Sequence, residues 1–230
     1  MQISAPDFLR RQALTTAERK LLQCAAKGEL CDLVDFEKQK ARLVDLKKKE
    51  AEKAAAASRS GLVLASIARL PEQGDQTAPT IRAALIRFLA RGGNADHPVD
   101  PRGVRLRGAR ITGELNLEGC HLPANLTLLS CEIEEAMQLL GANLQSLILD
   151  GSRISGVDNS GSLNADRLTA KGGVFLRNGF EAQGTVRLLG ADLGGNLDCE
   201  AGRFAAEGVA LNADGLTAKG GVYLRNGFEA

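Results

Sequence analysis

Cysteine and histidine are the side chains of this 230-residue chain that could support metal binding or nucleophilic catalysis. The five cysteines, at positions 24, 31, 120, 131 and 199, include no pair with the short spacing of metal ligands. The two histidines, His97 and His121, are too few and too scattered to suggest a zinc site or a catalytic triad. The sequence therefore predicts no metal, no cofactor and no catalytic residue.

Paired carboxylates offer a different chemistry, the general acid–base cleavage of glycosidic bonds. Asp166 and Asp214 occupy equivalent positions in the two copies of a long repeat in this chain. If the repeats stack, the two side chains lie at a separation of roughly 10 Å, in the range of an inverting glycosidase pair. A repeated surface position explains the same placement more simply. A carbohydrate-active or redox enzyme is thus an alternative, and the leading hypothesis is non-enzymatic.

A duplicated set of polar side chains is the candidate partner-binding surface. Lys-Gly-Gly occurs at 171–173 and again at 219–221, and Arg-Asn-Gly occurs at 177–179 and again at 225–227. In stacked repeats, like groups would come into register on one face and could bind a linear anionic or repetitive partner. Recent duplication would produce the same pattern without any binding role. The candidate residues are Lys171, Arg177, Asn178, Lys219, Arg225 and Asn226.

The elements that must position these groups are repeats in the second half of the chain. Leu163–Ala182 and Leu211–Ala230 are identical at 18 of 20 positions. A shorter unit of a small, a polar and a branched apolar residue recurs at a constant interval, as in Ala109-Arg110-Ile111, Cys120-His121-Leu122, Cys131-Glu132-Ile133 and Ala142-Asn143-Leu144. Between these triplets, short apolar–polar–apolar stretches have the alternation of half-buried strands. Of the 26 glycines, 21 lie in residues 101–230, where they suit tight corners.

Such units cannot bury an apolar face alone, but stacked coils can. Two of the shorter units per coil give roughly 22–24 residues per turn, and about five coils. The sequence therefore predicts a mainly β fold, a right-handed parallel β-helix at 101–230. Cys120 and Cys131 take the small inward positions on opposite sides, and His121 points outward. The expected internal aliphatic residues are Leu106, Ile111, Leu115, Leu117, Leu122, Ile133, Leu144, Leu149, Leu193 and Leu197.

The triplets Ala109-Arg110-Ile111, Ala142-Asn143-Leu144 and Ala191-Asp192-Leu193 resemble the A-(D/N)-L-x-x signature of pentapeptide-repeat proteins. This resemblance covers roughly Val104 to Ala230 and implies a right-handed β-helix of square cross-section. The layout also resembles bacterial pentapeptide-like proteins labelled membrane-associated oxidoreductases, but the chain has no G-x-G-x-x-G dinucleotide motif. Some pentapeptide-repeat proteins mimic DNA and bind topoisomerases, which implies a second alternative function.

Residues 1–100 are predicted to form an α-helical head and linker. Thr15 and Glu18 fit a capping box that starts a helix ending near Gly28. Strong helix formers predict a second helix at 35–57, and apolar spacing predicts a third at 80–91 with Thr80 as its cap. Lys47–Lys49 could contact an acidic partner, RNA or a membrane surface, but neighbouring glutamates favour a solvated helix face. Cys24 and Cys31 are expected in the core or at an interface.

Charge and hydropathy restrict the function further. The chain has 29 Lys and Arg against 28 Asp and Glu, a net charge of +1, which excludes a strongly basic nucleic-acid binder. The longest apolar run, residues 61–68, is too short to cross a bilayer, and we expect a cytoplasmic protein. The leading hypothesis is a scaffold or protein-interaction module that presents flat β-helix faces. Because the second repeat stops mid-motif, we expect either a longer native chain or end-to-end pairing.

Overall fold

The computed structural model describes residues 6–10, 13–34 and 78–230, and shows helices followed by a parallel β-solenoid. The described part of the head contains α1 (Asp7–Arg10), α2 (Thr16–Lys27), β1 (Cys31–Asp32), β2 (Thr80–Arg82) and α3 (Ala83–Ala90). The helix predicted at 35–57, the lysine run within it and the apolar stretch at 61–68 lie outside the described residues.

The strands of the solenoid form four parallel sheets, which we call faces 1 to 4. Each full coil from Leu126 onward contributes one strand to each face, whereas the coil from Val104 to Leu126 joins face 4 through the single bridge residue His121. Face 1 continues from β1 through β3 (Val104–Arg107), β6 (Leu126–Leu129), β10 (Leu147–Ile148), β14 (Val174–Phe175), β18 (Leu197–Asp198) and β22 (Val222–Tyr223). Face 2 continues from β2 through β4 (Arg110–Thr112), β7 (Glu132–Ile133), β11 (Arg153–Ile154), β15 (Glu181–Ala182) and β19 (Arg203–Phe204).

The other two sheets complete the four-sided section. Face 3 consists of β5 (Leu115–Asn116), β8 (Met137–Gln138), β12 (Leu163–Asn164), β16 (Val186–Arg187) and β20 (Leu211–Asn212). Face 4 consists of β9 (Asn143–Leu144), β13 (Thr169–Ala170), β17 (Asp192–Leu193) and β21 (Thr217–Ala218). The predicted mainly β, all-parallel solenoid with an N-terminal helical cap is confirmed.

The strand register shows where each coil closes on the one before it. On face 1, Val104 pairs with Leu126 and Leu126 pairs with Leu147, so the first two coils are nearly equal in length. The coil from Leu147 to Val174 is the longest of the series, because residues 155–162 form an extra loop between β11 and β12.

The register also relates the long sequence repeat to the coils. On face 3, Leu163 pairs with Val186, and Val186 pairs with Leu211. Leu163 and Leu211 begin the two near-identical segments, and one strand separates them in the sheet. The long repeat therefore spans two coils, as predicted.

Aliphatic ladders fill the interior. All ten residues predicted to point inward are at most 1% exposed, and they belong to one continuous apolar core with the head. Strand side chains alternate between the core and the surface, so adjacent residues such as Leu147 and Ile148 have opposite environments. Burial of apolar surface at about 25 cal/mol per Å² is the main stabilising contribution.

Three phenylalanines stack in the interior behind face 2 in the last coils. Phe180 and Phe204 make an edge-to-face contact with ring centroids 5.7 Å apart, and Phe204 and Phe228 make one at 5.3 Å. In each coil one ring and one small residue occupy the two inward positions on either side of the charged residue. Phe180 comes before Ala182 in one coil, whereas Phe204 comes after Gly202 in the next. The large residue therefore changes position from coil to coil, so that the interior volume stays filled.

The head closes the N-terminal end of the solenoid with both helix and strand. The predicted capping box is confirmed, since Thr15 and Glu18 each accept the other's backbone N–H, and Gly28 ends α2 in a left-handed conformation. Thr80 was expected to cap the third helix, and this prediction is wrong. Thr80–Arg82 instead form β2, which pairs with β4, and α3 begins at Ala83. Strand pairing at an otherwise open sheet edge outweighs the local capping preference.

Left-handed backbone at the corners explains one of the two differences between the long repeats. Arg167 has φ 55° and its counterpart Gly215 has φ 68°. Both residues therefore take the same corner conformation, which glycine adopts without strain.

Candidate interaction surface

The six candidate partner-binding residues lie along the two corners that border face 1. Lys171 follows β13 and precedes β14, whereas Arg177 and Asn178 follow β14. Lys219, Arg225 and Asn226 take the same places around β22. Because β14 and β22 are separated only by β18 in the sheet, the two sets lie two coils apart, at a distance of roughly 10 Å.

Arg177 is held in place by carboxylates from the coils before and after it. Its guanidinium donates to Asp150 at 2.7 and 3.2 Å and lies 3.5 Å from the Asp198 carboxylate. It also stacks over the Phe175 ring, 4.7 Å from the centroid. Asn178 donates to the same Asp150 at 3.2 Å. The hydrogen bond to Asp150 raises the pKa of Arg177, so this cation is permanent but already paired.

The second copy repeats this arrangement with different residues. Arg225 donates to Glu200 at 3.3 Å and stacks over Tyr223 at 4.7 Å, while Asn226 donates to Glu200 at 2.5 Å. Hydrogen bonds from Asn226 and Arg225 lower the pKa of Glu200. Along this corner the charges therefore alternate as Asp150, Arg177, Glu200 and Arg225.

The two lysines differ from the arginines. Lys171 and Lys219 are exposed, and no carboxylate of residues 6–10, 13–34 or 78–230 makes an ion pair with either ammonium group. The register places them two coils apart on the corner between faces 4 and 1. The net positive charge of the predicted surface is thus concentrated on the lysines, whereas the arginines serve mainly to hold the corner rigid.

The five cysteines are free thiols, and Cys24 and Cys31 are neighbours in the head. Burial raises the pKa of Cys131 to about 11 and that of Cys199 to about 12, with Asp198 adding to the effect at Cys199. Burial and the neighbouring Cys24 thiol raise the pKa of Cys31 to about 12. These thiols stay protonated at neutral pH and are poor nucleophiles.

We expect iodoacetamide to modify Cys120 before any other cysteine of the native protein. Cys120 is half-buried, whereas Cys24, Cys31, Cys131 and Cys199 are buried. Its labelling rate at pH 8 should exceed the others by at least about tenfold, because alkylation requires an accessible thiolate. Peptide mass spectrometry over time measures each rate, and labelling in urea is the control. Equal rates for Cys120 and Cys131 in the native protein would contradict the inward placement of Cys131.

The structure brings Asp166 to an arginine rather than to Asp214. Asp166 is 8% exposed and accepts hydrogen bonds from the Arg187 guanidinium and from the backbone N–H of Leu189. Asp214 is exposed two coils further along the same corner, as the spacing predicted. Asp166 therefore has a role in holding successive coils together.

The histidines also lie apart. His121 is exposed and pairs through its backbone with Asn143, and the ring of His97 packs edge-on against Phe88 at 6.2 Å. No three His, Cys, Asp or Glu side chains of the described ranges converge where they could hold a metal ion.

A cleft of about 460 Å³ lies between the loop at 157–161 and residues 206 and 207, over Gln183–Thr185. Two of its three charged groups are already engaged, since Asp158 accepts from Gln138 and Arg187 donates to Asp166, and the third, Glu207, is exposed. We assign no chemistry to this cleft.

A charge ladder on face 2 was not predicted. Its outward side chains alternate in sign through six successive coils, and they are Arg110, Glu132, Arg153, Glu181, Arg203 and Glu229. The recurring triplets form two series, because alternate triplets lie on opposite faces, face 2 and face 4. The alternation of charge becomes visible in the sequence when every second triplet is compared.

No family model, curated protein or solved structure matches this chain. Within the described residues, no helix is long and apolar enough to span a membrane.

Proposed function

We propose that the chain is a non-enzymatic scaffold module of the pentapeptide-repeat type, which binds a protein partner carrying regularly spaced acidic groups along face 1. The four-sided section and the small–polar–apolar triplets support the pentapeptide-repeat assignment. A rigid rod with columns of identical side chains suits a repetitive partner better than a small substrate.

The spacing of Lys171 and Lys219 is the observation that carries this proposal. Both ammonium groups are exposed, and they repeat at roughly 10 Å along the rod. A partner with carboxylates at a similar interval could engage both together, and the effective concentration of the second contact would raise its affinity. The stacked Arg177 and Arg225 fix the opposite corner of the same face.

The alternation of charge favours a protein partner over a role as a DNA mimic. A DNA mimic needs a uniformly negative surface, because the phosphate backbone is uniformly negative. Here Asp150 and Glu200 are each bound by an arginine of the next coil. The acidic groups of this corner are therefore neutralised within the chain.

Binding of fluorescent polyglutamate, measured by anisotropy at low salt, tests the proposal. We expect wild-type protein to bind and the double variant Lys171→Glu/Lys219→Glu to lose at least about tenfold in affinity. Arg167→Glu is the charge-matched control for each single variant, Lys171→Glu and Lys219→Glu, since Arg167 is an exposed cation on the corner between faces 3 and 4. Absence of binding by the wild type, or equal loss in the control, would reject face 1 as the binding surface.

A further inference from the structure

We propose that face 2 is a self-complementary surface through which two copies of this chain associate side by side in antiparallel orientation. This inference is independent of the proposed function, because it concerns a different face and a different partner. It rests on the six-step charge ladder.

The ladder is regular, outward-facing and exposed. Arg110 pairs in register with Glu132, Glu132 with Arg153, and so on to Glu229, at roughly 4.8 Å per step. The side chains of Arg153 and Glu181 are 49% and 40% exposed, and those of Arg203 and Glu229 are 61% and 60% exposed. A second molecule can therefore reach these charges.

A row of strictly alternating charges is complementary to its own reverse. A two-fold axis placed between Arg153 and Glu181 brings Arg153 of one copy against Glu181 of the other. The same axis matches Glu132 with Arg203 and Arg110 with Glu229, so all six steps meet an opposite charge. An isologous dimer requires this kind of self-complementary patch.

Contacts within the chain leave the central groups available. The Arg153–Glu181 ion pair has an N–O distance of 3.5 Å, and such exposed pairs are worth little by themselves. At the two ends the pairing is closer, since Arg110 donates to Glu134 and Arg203 donates to Glu229 at 2.7 Å. A second copy would place an opposite charge on the solvent-facing side of each ladder side chain. The ion pairs within each chain would remain in place.

The column of residues beside the ladder alternates between short and long side chains. Short side chains follow the charged positions on several strands, and they include Thr112, Ser155 and Ala205. Longer side chains, Glu134 and Gln183, follow the charged positions on the two strands between. The same two-fold axis sets each of them against a short side chain of the other copy, Glu134 against Ala205 and Gln183 against Ser155.

The size of the surface sets the expected affinity. Six steps make a strip roughly 25 Å long, and one face of the rod is narrow. Small polar interfaces of this kind belong to the transient class. Association should therefore occur at about 10–100 µM or above, and it should weaken as salt screens the exposed charges.

Sedimentation equilibrium of the full chain at 10–500 µM tests the proposal in 20 mM and 500 mM salt. We expect reversible dimers at low salt and monomers at high salt. Arg153→Glu and Glu181→Arg should each weaken association at least about tenfold, because each variant places two like-charged pairs across the axis. Lys171→Glu, on face 1, should leave the association unchanged.

Mixing the two variants separates an interface from a role in folding. In a mixed dimer the altered residues face each other with opposite charges, so every step is again complementary. An equimolar mixture of Arg153→Glu and Glu181→Arg should therefore associate as the wild type does, although each chain alone does not. A monomeric wild type at 500 µM and low salt, unchanged association of either variant alone, or a mixture that stays monomeric would each overturn the proposal.

Discussion

Replacing Leu147 with Asp is expected to unfold the solenoid. Leu147 is 0% exposed and pairs with Leu126 and Val174 in face 1, so its side chain stands in the middle of an internal ladder. The change removes a buried aliphatic group and puts an unpaired carboxylate into the core, at a cost of about 5 kcal/mol or more. The whole free energy of unfolding of a domain is about 5–15 kcal/mol. Urea denaturation followed by circular dichroism measures the loss.

The next residue supplies a matched control for that experiment. Ile148 belongs to the same strand but is half-buried and faces outward. Ile148→Asp should change the free energy of unfolding by less than about 1 kcal/mol, as surface substitutions do. If Leu147→Asp melts within a few degrees of the wild type, or if Ile148→Asp is the more damaging change, the inward and outward assignments on face 1 are wrong.

The second large effect is expected at Glu18, which joins α2 to β2. Its buried carboxylate accepts hydrogen bonds from the backbone N–H of Thr15, from the backbone N–H of Arg82 and from the Arg82 guanidinium at 2.7 and 2.5 Å. Glu18→Ala removes all of these bonds and leaves Arg82 without this partner. We expect a loss of about 3 kcal/mol in the free energy of unfolding at pH 7. Thr15→Ala, which removes only the cap, should cost about 1 kcal/mol.

The pH dependence distinguishes this ion pair from simple packing. Burial alone would raise the pKa of Glu18, but hydrogen bonds from Arg82 and from backbone amides outweigh it and leave the pKa below the ordinary 4.5. A carboxyl with a lowered pKa stabilises the fold above pH 4.5, and this contribution is lost as the pH falls through the folded-state value. The difference between wild type and Glu18→Ala should therefore be largest above pH 4.5 and shrink as the pH falls further. A difference that is constant with pH would contradict the ion-pair origin.

The sequence predicts those parts of the fold that depend on repeated or local signals. The recurring triplets identify the inward residues because each coil places the same residue type in the same slot, as at Ile111 and Ile133. Helix α2 is equally predictable, since Thr15, Glu18 and Gly28 form complete local signals for its two ends. These signals require no knowledge of distant partners.

Long-range pairings are not predictable in the same way. Ile81 lies in register with Ile111, and nothing in the local sequence at Thr80–Arg82 marks this pairing. The carboxylates that bind the arginines on face 1 cannot be predicted from the sequence for a related reason. Coils differ in length, since the loop at 155–162 lengthens one of them, and the position of Asp150 relative to Arg177 cannot be counted from a fixed period. The sequence therefore predicts the arginines of this surface but not the carboxylates that bind them.

The charges on face 2 and the positions of the phenylalanine rings both alternate from coil to coil. This pattern is preserved only when the solenoid lengthens by an even number of coils. Copying a single coil would place two glutamates or two arginines next to each other on face 2, and would set the Phe180 position directly above itself. Copying two coils preserves both the sign of each charge and the change of side for each ring. The near-identical segments Leu163–Ala182 and Leu211–Ala230 lie two coils apart and keep both features. Although the single coil is the unit of architecture, the smallest unit of growth compatible with this pattern is a pair.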